Sequence, residues 1–490
     1  MKKIAIVGSG IAGMSAAATF ASQGYQVDVF EKNDKPGGRI NYFDTNGYRF
    51  EMGPSWYWMP EVFENFYKRF GYKTSDFYDL IRLDPSYRVV FPGDEHFDIP
   101  ASFEELKQLF DSIEPGSATK LQKFIDHAKI KYEVGMNEFV WKPGNSIFEF
   151  TQLKVLKNAV KLQLLKSISS EINKIVKDKR LRQILEFPVL FLGATPKDTP
   201  ALYSLMNYAD LKLGTWYPQG GMYHIASAFH KIAVDQGAHF HFNEEVKSFE
   251  YSNNSIDKVV TEKAAYDADF VVAGADYHHI DKNVLDPKYA NYSDSYWDSR
   301  KMAPSSLLIF LGIKKRINKL EHHNLFFDAD FDNHAHEIYK EPKWPSDPLF
   351  YVCAPSKTDP SVAPEGHENL FVLMPIAPDL EDSDPQIFER YFETIIKRIE
   401  KFTGEDIKAS IEFKQYFSVK DFKSVYNSFK GNAYGLANTL GQTAILKPSI
   451  KNKNLVNLYY SGQLTVPGPG LPPSIISGQL VAQEIIDKHN

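Results

Sequence analysis

The sequence predicts an α/β protein of two domains, one of them built on a parallel sheet that binds a dinucleotide. Three observations carry that prediction. The chain opens on a strand, a glycine-rich turn, a helix and a second strand in close succession. It ends on a second turn, rich in glycine and proline, that feeds its last helix. Its 490 residues, 43% hydrophobic and 14% aromatic, exceed what one core accommodates.

The opening unit comes first in order. Ile4 to Val7 form a short apolar run of the kind a buried parallel strand shows, and Gly8-Ser9-Gly10-Ile11-Ala12-Gly13 follows as GxGxxG. Gly8 permits the tight turn, Gly10 lets a pyrophosphate approach the backbone, and Gly13 lets a helix over roughly 11–23 pack close to the strand. The pyrophosphate then meets the N–H groups that open the helix, at Ile11 and Ala12, and the positive end of its dipole. Gly24 closes that helix. "QVDVFE" supplies a second strand whose last residue, Glu31, is placed to accept hydrogen bonds from a ribose diol. A lone GxGxxG could be a ligand-free turn, but here strand, helix, strand and terminal Glu stand in Rossmann-like register. Gly37-Gly38-Arg39 then puts a flexible backbone and a guanidinium just after the ribose strand, where a second phosphate-side contact can form, which favours FAD over NAD.

The middle of the chain is less regular. Helical periodicity is expected at "SFEELKQLFDSI" and "SATKLQKFIDHAKIKYEVG". Thr151 to Arg182 carries nine basic residues against Glu171 and Asp178, with Leu and Ile threaded between the lysines. Such a basic amphipathic stretch suits an anionic membrane surface, and an ordinary solvated helix packing its apolar face on the protein is the competing reading. Trp56-Tyr57-Trp58 and Trp216-Tyr217 both adjoin glycine-rich motifs. Trp56, Trp58, Trp216 and Tyr217 are therefore candidates for an aromatic-lined substrate channel. A helix from about Met222 to Asp235 precedes further strands.

At the end, "NLVNLYYSG" reads as a strand that delivers the chain into alternating glycine and proline from Pro467 to Pro473. Ser474 opens the periodic run Ile475, Ile476, Leu480, Val481, Ile485, so the last helix is expected to start there. Pro472 and Pro473 donate no hydrogen bonds. That leaves the N–H groups from Ser474 and Ile475 onward to bind the edge of a ring.

Composition excludes several classes. A net charge of -6 with interleaved signs gives no footprint for nucleic acid. The single cysteine, Cys353, excludes an internal disulfide and any CxxC site, and makes the cytoplasm the default compartment. The first 24 residues have the charge and apolarity of a signal peptide, but their glycine spacing argues for folded structure. No stretch of 18 apolar residues marks a transmembrane helix. His239, His241, His278, His279, His322 and His323 lack acidic neighbours at metal spacing, so no metal is expected. Nothing in the sequence sets an oligomeric state.

Across almost its whole length the chain resembles the phytoene dehydrogenase-like carotenoid desaturases, within the amine-oxidase-like superfamily of two-domain flavoproteins. The resemblance rests on Glu31-Lys32, Pro36-Gly37-Gly38-Arg39, Gly53-Pro54-Ser55, Ala275-Asp276, "HHN" at 322–324, "YVCAPSKTDPSVAPEG", and Gly462 followed by Thr465-Val466-Pro467-Gly468-Pro469-Gly470-Leu471-Pro472. Glu51 departs from it, since the family usually has Asp there. The resemblance implies FAD as cofactor, with contacts at Lys32, Gly38, Gly53, Pro54, Ser55, Val246, Asp276, Gly462 and Pro473. It implies a Rossmann-like FAD domain over 1–70, 216–280 and 430–490. A substrate domain of mixed sheet and helices would take 71–215 and 281–429, with 100–190 as a helical, membrane-facing lid. The implied reaction is desaturation of an acyclic or monocyclic C40 polyene, phytoene-type or 1-hydroxycarotenoid 3,4-desaturation, by hydride transfer to flavin N5 and loss of a proton. No side chain declares itself as the proton acceptor. The implied location is the cytoplasmic face of the membrane, the protein being peripherally bound. An amine-oxidase-like flavoenzyme, or a non-catalytic prenyl-binding escort resembling the Rab GDP dissociation inhibitors, shares the scaffold.

Overall fold

The computed structural model describes residues 1–144 and 166–489. Its first sheet has five strands, all parallel, in the order Leu458–Tyr460, Phe270–Ala273, Lys3–Val7, Gln26–Phe30, His239–His241. Residues from the two ends and the middle of the chain thus meet in one sheet. The helix Ile11–Ala21 is buried at every position, which explains its composition. Alanine, glycine and serine let it sit between the sheet, the helix Tyr223–Asp235 and the last helix, Leu471–His489, without a solvent face. At Gly478 the last helix crosses the first so closely that a Cβ would collide with the Ala12 carbonyl oxygen, and Ser15 Oγ donates to the Ile475 carbonyl at 2.8 Å. That crossing carries the C-terminal turn to the N-terminal one.

The second sheet is mixed, with seven strands in the order Ile411–Phe417, Ser305–Ile313, Glu368–Ile376, Phe350–Cys353, His323–Phe326, Tyr87–Val90, His96–Ile99. Only Tyr87–Val90 and His323–Phe326 run parallel. Ser305–Ile313, "SSLLIFLGI", is apolar without alternation because both its faces are buried. Leu307 and Ile309 pack with Ile395 and Ile399 of the helix Pro385–Thr403, whereas Leu308 and Phe371 face the opposite way, into a cavity between the two sheets.

The expected helices near 102–135 are present as Phe103–Ile113 and Ser117–Val134. Ser102 caps the former by accepting the Glu105 N–H at 3.4 Å. Of the basic run 151–182, residues 151–165 lie outside the described residues. In the remainder, Ile168, Ile172 and Leu181 are fully buried in the protein. Lys166 and Lys174 pair with Glu171, and Arg180 with Asp178 and Glu95. This part turns its apolar side inward.

Candidate functional site

The glycines of the first turn divide by what surrounds them. Gly8, at φ +95°, donates its N–H to Phe30 O at 2.8 Å, and a Cβ on it would press on the Ala275 backbone. A Cβ on Gly13 would collide with the Gly8 carbonyl oxygen, so that glycine is required by helix–strand packing. Gly10 differs: its φ of -68° suits any residue, and a Cβ there would meet no protein atom within 4 Å. The space beside it belongs to a cavity of about 630 Å³ that Gly8, Gly10, Ile11 and Ala12 line. A pyrophosphate fits this cradle at the helix N-terminus. Gly13 packs behind the turn and is not part of the lining.

Glu31, Lys32, Val246 and Asp276 close the same end of the cavity. Glu31 is held firmly: Oε2 accepts from Ser9 N and Oγ at 2.9 and 2.8 Å, and Oε1 from Asn33 N and Nδ2 at 3.0 and 2.9 Å. Four protein donors already occupy these oxygens, a competition for any diol that the sequence does not reveal. Lys32 Nζ donates to Ser424 O and Asn427 Oδ1, which ties the helix Val419–Tyr426 to this end. Asp276 accepts the N–H of His279 and of Phe429; burial pushes its carboxyl up to about 6 and the Arg39 guanidinium opposes the shift. Gly38, Arg39, Gly53, Pro54 and Ser55 continue the wall.

The second turn comes close to the first at Gly462, where a Cβ would lie 3.9 Å from Ala12 Cβ, and the Gly462 N–H donates to Ser477 Oγ of the last helix at 3.0 Å. Gly462, Pro473 and Ser474 line the cavity; Ile475 does not, being wholly buried against the first helix. The expected start of the last helix is corrected here. It begins at Leu471, three residues early, and Ser474 N–H is already spent on Gly470 O at 3.0 Å. Proline at the first positions of a helix loses nothing, since those amides have no intrahelical partner. The first three residues offer a single amide, that of Leu471.

Beyond this end the cavity becomes apolar, walled by Phe187, Leu308, Phe331 and Phe371 from the second sheet and its helices. Trp56 and Trp58 line it, their rings 5.4 Å apart. Trp216 and Tyr217 do not. Their strand, Trp216–Pro218, pairs with Leu80–Arg82, which sends Trp216 Nε1 to Leu213 O and Tyr217 OH to Asp359 Oδ2, away from the cavity. His334, which lines the apolar wall, is kept neutral by burial, down to about 4.

Five buried polar atoms of cavity-lining residues have no hydrogen-bond partner among the described residues: Arg39 Nε, Ser461 Oγ, Gln463 Nε2, Ser306 Oγ and Tyr426 OH. Together they ask for a ligand that is polar along one edge and anionic at one end. A family model described as flavin containing amine oxidoreductase matches residues 11–486. The chain belongs to that family. This flavin-containing oxidoreductase takes FAD, and the orphaned atoms together with the open space at Gly10 fit that cofactor. It is 38% identical to the carotenoid 3,4-desaturase of Haloarcula japonica over 99% of the chain and 98% of the relative. It is 30% identical to the zeta-carotene-forming phytoene desaturase of Myxococcus xanthus over 99% and 94%. Among solved structures, cyclohexylamine oxidase from Brevibacterium oxydans superposes with a TM-score of 0.62 at 15% identity, covering 99% of both chains, which shows the shared α/β flavoprotein fold.

Sequence reasoning missed a polar cluster behind Trp56. Tyr351 lines the cavity, and its OH lies 2.6 Å from His323 Nδ1 and 3.0 Å from Ser55 Oγ. The histidine pair was visible in the sequence, but the partner of His323 comes from the neighbouring strand Phe350–Cys353, through the register that sets His323 opposite Cys353, and that of His322 from Thr358 beyond it.

Proposed function

We propose that the chain is an FAD-dependent carotenoid desaturase that introduces a C=C bond into an acyclic or monocyclic C40 polyene, with 3,4-desaturation as its reaction. The observation that carries this reading is the full-length similarity to the Haloarcula japonica carotenoid 3,4-desaturase. The cavity agrees with it chemically. Among the described residues, the part of the cavity walled by Trp56, Phe187, Leu308, Phe331 and Phe371 is aromatic and aliphatic, which suits a flat hydrocarbon better than a charged amine. When bound, FAD supplies the hydride acceptor. The chain's own part is to hold the phosphates at Gly8 to Ala12, to lay the polyene along Trp56, Leu308 and Phe371, and to exclude water.

We assign 1–70, 216–280 and 430–490 to the FAD domain and the intervening pieces to the substrate domain, a division supported by the membership of the two sheets. We further place the protein on the cytoplasmic face of a membrane, from which a water-insoluble polyene enters. Ile130 and Trp141 are 44% and 41% exposed, Trp141 Nε1 donates to the carbonyl of Met136 in the cavity wall, and the sequence runs on to the basic residues Lys154, Lys157 and Lys161. No described helix is long and apolar enough to cross a membrane.

The test is expression in cells that make phytoene, lycopene or a 1-hydroxycarotenoid. A red-shifted pigment with the hydroxylated substrate and none with phytoene is expected. A shift with phytoene would favour a phytoene-type reaction, the reading that similarity to the Myxococcus xanthus enzyme supports. Unchanged pigment in all three strains would remove the substrate class.

A further inference from the structure

Desaturation removes a hydride and a proton from adjacent carbons, and the flavin accounts only for the hydride. Within the proposed carotenoid desaturase, on which this inference rests, we propose that Tyr351 takes the proton from the substrate and passes its own phenolic proton to His323. The geometry of one small cluster supports this.

Tyr351 lines the cavity on the side where Ser55 and Trp56 lie, and its hydroxyl is shared between His323 Nδ1 and Ser55 Oγ. A phenol that accepts from Ser55 and donates to an imidazole can receive a proton on oxygen as it releases one to nitrogen, remaining neutral throughout. In the step the substrate C–H bond breaks and its electron pair becomes the new π bond. The carbon-bound proton forms an O–H on Tyr351, and the former phenolic proton forms an N–H on His323. No charge builds on tyrosine, whose buried phenolate would be costly.

Two features prepare His323 for the proton. Burial keeps it neutral, well below its ordinary value, which leaves the free base in place while disfavouring the imidazolium. Its ring stacks on Trp56, centroids 4.1 Å apart and planes 12° from parallel, so the imidazolium that forms rests on an aromatic face. The base is weak, which suffices, because a proton next to a polyene cation is itself strongly acidic. His323 is fully buried, with Tyr351 OH at its Nδ1 and no partner for its Nε2 among the described residues. The onward path runs back through Ser55, which also lines a void of about 10 Å³ with Glu51, His322 and Cys353. That void is of the size that admits one water. Glu51 also lines that void, and burial pushes its carboxyl up to about 8, so near neutral pH it holds its own proton and can take another only as it releases that one.

The experiment uses the FAD-bound enzyme, its Tyr351→Phe and His323→Gln variants, and whichever of phytoene, lycopene or a 1-hydroxycarotenoid the wild type converts. Flavin content, KM, the rate of anaerobic flavin reduction and the isotope effect of deuterium at the proton-losing carbon are measured. Both variants should keep flavin content and KM, lose roughly 100-fold or more in rate, and raise the isotope effect. A purely structural role would instead lower flavin content or raise KM with an unchanged isotope effect, and would overturn the relay. Rates within about threefold of wild type would overturn it too. So would a stoichiometric transition metal in the purified enzyme, since it would claim His322, His323 and Cys353, whose ligand atoms lie within 4.8 Å of one another. A wild type that converts none of the three pigments overturns the desaturase reading, and the relay with it.

Discussion

Gly10 and Gly13 have the same side chain and opposite duties. Gly13→Ala drives a methyl group into the Gly8 carbonyl oxygen and is expected to cost about 1–3 kcal/mol of stability. Gly10→Ala meets no protein atom and is expected to leave the melting temperature of the flavin-free protein unchanged while weakening FAD binding by about tenfold or more. Thermal melts beside flavin titrations check both, and the reverse pattern would contradict the placement of the phosphates. These duties were legible in the spacing of the motif. Lys447 was not, because its environment is assembled from distant segments. Its Nζ donates to the neutral Asn438 Oδ1 at 2.8 Å, close under Gly468, and burial pulls it down to about 7 from 10.5. Between those values the unfolded chain binds a proton that the folded protein does not. Stability therefore falls as pH drops through that window. Lys447→Met should melt above the wild type near about pH 6, with the difference shrinking toward about pH 10. A pH-independent difference would contradict it.

Elements were legible where one period dominates. The helices Phe103–Ile113 and Ser117–Val134 follow the expected spans within a residue or so, as does Tyr223–Asp235. The last helix started early because Leu471-Pro472-Pro473 read as loop, although prolines in a first turn lose no hydrogen bond. A consequence follows for Ser474, whose Oγ donates to Gly470 O at an exposed position. Ser474→Ala should change stability by no more than about 0.5 kcal/mol and leave flavin content alone. Gly478→Leu should do neither, because it forces the last helix off the first at Ala12 and separates the two turns. Soluble yield and flavin absorbance per protein distinguish the two variants.

At the scale of the whole molecule, the sequence announced both ends of the site and the α/β class, but not the wall between them. The seven-stranded sheet joins strands from 87–99 with strands from 305–417, a pairing that no local pattern encodes. Trp216 and Tyr217 were candidates because they sit near glycines in sequence, yet pairing with Leu80–Arg82 turns them away, while Trp56 and Trp58 reach the cavity. The described half of the basic run shows the same limit of pattern reading: its apolar side is spent on the protein. In the proposed reaction one continuous cavity brings an FAD at the two glycine turns against a hydrocarbon along the second sheet. The direct test is anaerobic mixing of the purified holoenzyme with its carotenoid, following flavin absorbance and pigment together. Each flavin reduced is expected to be matched by one new C=C bond in the pigment. Pigment that changes while the flavin stays oxidised, or a purified protein that holds no FAD, would contradict it.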